Sequence, residues 1–154
     1  MKKFILLGTA ALLVVCTGCN RSGVIDATST ANANAAGSTA RKSPTPARIA
    51  HGKEVNLQDF VVPGKTTIFD FTSEYCPPCR AIAPLLRKLH TDHADIVVVE
   101  VDLNRPGVQG IDWASPLARQ YQMTSIPAFK VYGPNGQLQA EGDDAYQMVR
   151  NILR

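Results

Sequence analysis

The segment IVVVEVDL, residues 96–103, is a near-continuous apolar run, the pattern of a strand covered on both faces. Upstream, TTIFDFTS (66–73) is β-branched and aromatic and reads as a second strand. Between them Ile82, Leu85, Leu86 and Leu89 recur at i, i+3, i+4 and i+7, which is one face of a helix. Strand, helix and strand in that order make a βαβ unit, whose sheet needs helices to cover it.

Downstream, SPLARQYQ predicts a short helix, AFKVY (128–132) a strand, GPNG (133–136) a turn, and QLQAE a strand returning through that turn. Ala145, Met148, Val149, Ile152 and Leu153 then repeat the helical spacing to the end of the chain. The order β-α-β-α-β-β-α, with its last two strands antiparallel, predicts an α/β fold with a central mixed sheet and helices on both faces. About 105 residues, 49–154, suffice for one such domain with its own core.

The segment before residue 49 has another character. Lys2 and Lys3 precede twelve apolar or small residues, Phe4 to Val15, too few for a membrane-spanning helix and in the order of an export signal. VCTGC, ending at Cys19, resembles the lipobox of bacterial lipoproteins, although Cys16 stands where that pattern has leucine. The resemblance implies a signal peptide over 1–18 and acyl chains on Cys19, which would anchor the protein to a bacterial membrane. Residues 19–48 are dominated by Ala, Ser, Thr, Asn, Gly and Pro and cannot bury a core. They read as a flexible linker with a reach of roughly 30 Å. The localisation expected is an exported, lipid-anchored domain facing the periplasm or cell exterior. The net charge of +3 falls to +1 without Lys2 and Lys3, and nothing in it calls for nucleic acid.

With Cys16 in the signal and Cys19 lipidated, Cys76 and Cys79 are left for chemistry, in a compartment where disulfides persist. CPPC (76–79) lies on the turn from the first strand into the first helix. A helix N-terminus favours a thiolate, so Cys76 reads as the nucleophile; Cys79, one turn on, could resolve a mixed disulfide. A structural staple is the bland alternative, but closing so short a loop would remove little chain entropy. The metal alternative joins Cys76 and Cys79 to His90 and His93, a spacing near that of a zinc finger. On one helix those histidines would stand about 16 Å from the cysteines. No metal or cofactor is expected, and His51, His90 and His93 read as surface residues.

FDFTSEYCPPCRAIAPLL resembles the active-site segment of thioredoxins, and the later TSIPAF resembles their cis-proline segment. The resemblance covers roughly residues 52–154 and implies the thioredoxin-like fold. It makes Cys76 the exposed attacking thiol, Cys79 the buried resolving thiol, and Asp70 the buried acid that takes a proton from Cys79. Burial of that carboxyl should raise its pKa. By the same resemblance Pro127 is a cis-proline beside the sulfurs, and Tyr75, Pro77, Pro78, Ile126 and Pro127 form the substrate-binding surface. Pro84 matches the proline that kinks the family's helix.

The departures are Tyr75 in place of tryptophan, Pro77-Pro78 in place of Gly-Pro, and the lack of an evident counterpart in VVVEVDLN for the charged side chain that cytosolic thioredoxins place near the buried acid. Neither proline carries an N–H, so the Cys76 thiolate has fewer donors than beside glycine. That predicts a reducing couple, nearer the roughly −270 mV of thioredoxin than the roughly −120 mV of strong oxidants. NRPGVQGIDWASPLARQY looks longer than the corresponding stretch of a minimal thioredoxin; Trp113 in it reads as a packed loop anchor or, at the site rim, a partner contact. The function expected is a membrane-tethered, extracytoplasmic reductase of protein disulfides, monomeric and re-reduced by a membrane thiol-reducing donor. The alternatives are a non-catalytic docking module and an oxidase or isomerase of exported proteins.

Overall fold

The computed structural model describes residues 42–154. The segment read as an export signal, Cys16, Cys19 and most of the segment read as a linker lie outside the described residues.

Five strands form one sheet: β1 (Ala47–Ile49), β2 (Thr66–Thr72), β3 (Ile96–Asp102), β4 (Ala128–Tyr132) and β5 (Leu138–Glu141), in the order β1-β3-β2-β4-β5. The β1–β3 and β2–β3 pairs are parallel, and the β2–β4 and β4–β5 pairs antiparallel. The mixed α/β sheet matches the expected thioredoxin-like architecture. Helix α1 (Pro77–Asp92) makes the β2–β3 crossover, α2 (Pro116–Gln120) precedes β4, and α3 (Gly142–Ile152) follows β5. Two elements had no strong signal: β1, which starts inside the segment read as linker, and a 3-10 turn over Leu57–Phe60.

Strand alternation sorts the core into two layers. Ile68, Val98, Phe129 and Val131 face α1 and α3, meeting Leu86, Leu89, Ala145 and Val149. Phe69, Phe71, Val97, Val99 and Val101 face the other way, against Leu57, Leu117 and Ala118. Helices therefore cover both faces. Because β2 is central, its C-terminal end opens into the middle of the molecule's edge, where a strand-to-helix turn can hold chemistry.

Three expectations need correction. Leu85 is exposed, because the buried stripe of α1 runs through Cys79, Leu86, Leu89 and His90 rather than along Leu85. His90, read as a surface residue, is only 2 % exposed. Its Nδ1 accepts the Val98 N–H at 3.0 Å, and its Nε2 lies 2.9 Å from the Ser43 carbonyl oxygen. Trp113, expected either as a packed loop anchor or as a rim contact, is 42 % exposed and is not the packed anchor. The loop after β3 is held instead by Ile111 packed on the core and by Asp112, whose buried carboxylate accepts two guanidinium N–H groups of Arg105.

Candidate active site

β2 ends at Thr72, and the chain turns through Ser73, Glu74 and Tyr75 into α1. Ser73 fixes that turn. Its carbonyl accepts the Cys76 N–H at 3.1 Å, and its hydroxyl accepts the Tyr75 N–H at 3.2 Å. The same hydroxyl donates to Asn104 Oδ1 at 2.6 Å, tying the turn to the loop after β3. Cys76 has extended backbone and is the N-cap of α1. Pro77 and Pro78 occupy the first helical positions, where a fixed φ is favourable and a missing N–H costs little.

The Cys76 and Cys79 sulfurs are bonded at 2.09 Å. The Cys79 N–H points back to Cys76 Sγ at 3.2 Å, the one amide of the first turn that the two prolines leave to it. Cys79 is buried as expected. Cys76 is not the exposed thiol the resemblance implied: it is 1 % exposed. The Ile126 carbonyl oxygen stands 3.8 Å from its sulfur. The Ile126–Pro127 peptide is cis. Pro77 and Pro78 are exposed, and Tyr75, Ile126 and Pro127 half-buried, so all five stand around the covered disulfide with part of their surface in solvent. Beside Pro127 a cavity of about 310 Å³ is lined by Ser125, Ala128, Gly142, Asp143 and Tyr146.

Asp70 lies on β2 on the side of α1, 1 % exposed, and neither carboxyl oxygen has a hydrogen-bond partner. Burial pushes its pKa up to about 7, the negative charge of Glu100 adds to the rise, and Arg48 and Arg87 oppose it. Such a group exchanges protons near neutral pH, as a base working on a buried thiol needs.

Four residues beside this site escaped the sequence reading: Ser73, Asn104, Glu100 and Arg48. Glu100 overturns the expectation that VVVEVDLN brings no charged side chain near the buried acid: it stands in register with Asp70, and its interruption of the apolar run was the available signal. Arg48 sits on the unrecognised β1.

In the metal alternative His90 would be a ligand. Its two ring nitrogens are instead engaged by the backbone of Val98 and Ser43, and the two cysteines are bonded to each other.

A family profile described as Thioredoxin matches residues 49–152. Thioredoxin-1 of Caenorhabditis elegans is 36% identical over 74 residues, covering 48% of this chain and 56% of the relative. An H-type thioredoxin of Chlamydomonas reinhardtii is 32% identical over 92 residues, covering 59% and 67%. The chain spans about half the length of the first curated relatives it matches. Among solved structures, the short form of spinach chloroplast thioredoxin f has a TM-score of 0.50 at 18% identity, with 74% of this chain and 97% of that one covered. A complex of ferredoxin:thioredoxin reductase and thioredoxin f2 gives 0.50 at 20% identity, with 73% and 96% covered. At these identities the structural matches speak to the fold.

Proposed function

The chain belongs to the thioredoxin family, and from that premise we propose that it is a thiol-disulfide oxidoreductase that reduces protein disulfides outside the cytosol from a membrane tether. The observation that carries the reading is the Cys76–Cys79 disulfide at the N-terminus of α1, with the unpartnered carboxyl of Asp70 buried under the same helix.

In the reduced protein, the Cys76 thiolate attacks one sulfur of a substrate disulfide. A mixed disulfide forms, and the departing substrate thiolate takes up a proton. Asp70, ionised, accepts the Cys79 proton; the Cys79 thiolate attacks Cys76 Sγ and displaces the second substrate thiolate. Two electrons have then passed to the substrate, and the chain is left with the disulfide seen here. The Ile126–Pro127 loop and the cavity beside it give the substrate chain a place to lie against the sulfurs.

The direction of transfer follows from donor count. With Pro77 and Pro78 lacking N–H groups, the amide of Cys79 is the donor left to the sulfur, so the thiolate is weakly held and the disulfide form is favoured. That is the behaviour of a reductant. A reductant in an oxidising compartment needs a membrane thiol-reducing donor to return it to the dithiol. The tether rests on the sequence alone: an export signal over 1–18 and acylation at Cys19. Mass spectrometry of the mature N-terminus should find acylated Cys19; an unmodified terminus further along would remove the anchor.

The activity is tested by insulin-disulfide reduction under dithiothreitol, with Cys76→Ser alongside. The expected result is turnover by the wild-type chain that disappears in the variant. Equal rates for the two, or none above the dithiothreitol background, would favour a thioredoxin fold used for docking.

A further inference from the structure

Asp70 is paired in register with Glu100 across the parallel β2–β3 ladder. Residues in register on adjacent strands stand about 4.8 Å apart and project to the same face. Two acidic side chains therefore lie side by side under α1, and they are treated differently. Asp70 has no partner for either oxygen. Glu100, 8 % exposed, is gripped from two elements: Oε1 accepts from Arg87 Nε and Nη2 of α1 at 3.3 and 3.2 Å, and Oε2 lies 3.5 Å from Arg48 Nη1 of β1. Two guanidinium groups on one carboxylate fix where it sits beside Asp70.

A cavity of about 140 Å³ lies over this cluster. Cys79 forms part of its wall, with Glu100, Arg48, Arg87, Arg80 and Glu74. The resolving sulfur and the anion next to Asp70 thus face one space that reaches exposed charged side chains.

We propose that Glu100 is a positioning residue for disulfide exchange, presenting a fixed negative charge to Asp70 that governs when the buried acid gives up its proton beside Cys79. The inference rests on the oxidoreductase reading for its purpose, but the coupling of the two carboxyls is a property of the fold. Its chemistry is electrostatic. An anion held next to a carboxyl disfavours a second anion there, so Asp70 keeps its proton to higher pH than burial alone would give. Arg48 and Arg87 act in the opposite sense, which is why Glu100 must be considered with them. The other charged groups around the cluster are Arg80 and Glu74 at the cavity wall, and Asp102, which binds Arg48 Nε at 3.1 Å and has His51 Nδ1 at 3.4 Å. From β4 the neighbour of Asp70 is Phe129, which carries no charge.

The experiment follows the Asp70 carboxyl by carbon-13 NMR titration in the oxidised full-length chain. It is paired with the pH profile of insulin reduction by the reduced chain, in wild type, Glu100→Gln and Arg87→Gln. Removing the anion should move the Asp70 titration, and the acid limb of the rate profile, about one pH unit towards acid. Arg87→Gln, at an exposed side chain, should move both the other way. A merely structural Glu100 would lower stability and leave the titration where it was. An unmoved titration in Glu100→Gln, or displacement of both variants in the same direction, overturns the proposal. Should Glu100→Gln fail to fold, Glu100→Leu, neutral and suited to an apolar strand, takes its place in the same titration, with the same acid displacement expected and an unmoved titration overturning the proposal. Absence of reductase activity in wild type would overturn the oxidoreductase reading, while the titration still decides whether Glu100 governs Asp70.

Discussion

At the scale of single residues, the unusual group is a carboxylic acid left without a hydrogen bond in the core. Asp70 should make the folded chain sensitive to pH in a direction opposite to most carboxylates. Its folded pKa of about 7 lies above the ordinary 3.8. At pH 3 both folded and unfolded states carry the proton, and the group makes no pH-dependent difference. As pH rises from about 4 to 7 the unfolded chain ionises first and stability is lost, and above 7 the whole penalty stands. Asp70→Asn removes the charge while keeping the shape. The oxidised variant should be more stable than wild type at pH 8, by up to about 4 kcal/mol, with the gain shrinking to nothing near pH 3. Urea denaturation at the two pH values measures it; a gain independent of pH would mean that Asp70 is not strained by its charge. Asp70 was legible through the thioredoxin resemblance, which puts the buried acid six residues before Cys76, and alternation with Phe69 and Phe71 agrees by placing it on the opposite face of β2. Glu100 could not be weighed in the same way. A single acid inside IVVVEVDL does not reveal which strand lies beside it, and the register with Asp70 and the reach of Arg48 are properties of the assembled sheet.

At the scale of elements, helix α1 does two jobs. Its N-terminus holds the sulfurs, and its C-terminal end closes the edge of β3. Strand β1 reaches down only to Ala47, opposite Val99. The next amide, that of Val98, is taken by His90 Nδ1, while Lys42 Nζ donates to the His93 and Ile96 carbonyls at 2.6 Å. An accepting Nδ1 makes Nε2 the donor to Ser43, so His90 is held as the neutral ring. Burial lowers its pKa further. A histidine with a depressed folded pKa lends stability above its ordinary value near 6.5, and that stability is lost as pH falls through the folded value. The wild-type chain should therefore lose more melting temperature between pH 7.5 and pH 5 than His90→Leu does. The variant should also be weaker at pH 7.5 by about 1–3 kcal/mol, because the Val98 N–H is left unpaired. Equal pH sensitivity in the two proteins would show that His90 is not the titrating latch. Sequence reading missed this latch because one histidine at the polar end of a helical pattern looks like any surface residue. Its burial depends on residues 42–46, which composition assigned to a linker.

At the scale of the whole molecule, the order of strands and helices could be read from periodicity because the central strands are apolar runs and the long helices carry clear 3.6-residue spacing. The pieces that escaped are short or irregular: three residues of β1, one 3-10 turn, and the loop after β3, whose anchors are Ile111 and the Arg105–Asp112 pair rather than Trp113. The covered Cys76 was also beyond reach, since the carbonyl that approaches its sulfur comes from Ile126, fifty residues downstream. What the assembled molecule adds to CPPC is a setting: a sulfur pair capped by one amide, a buried acid on the sheet face that α1 covers, and a carboxylate clamped beside that acid. The account stands on this pair being a reversible, reducing couple. Its most direct test is equilibration of the full-length chain in glutathione buffers of graded ratio, with the dithiol fraction read by alkylation and mass. The expected result is a two-electron transition near thioredoxin's roughly −270 mV. A transition near the oxidising extreme of roughly −120 mV, or a disulfide that never equilibrates, would contradict it.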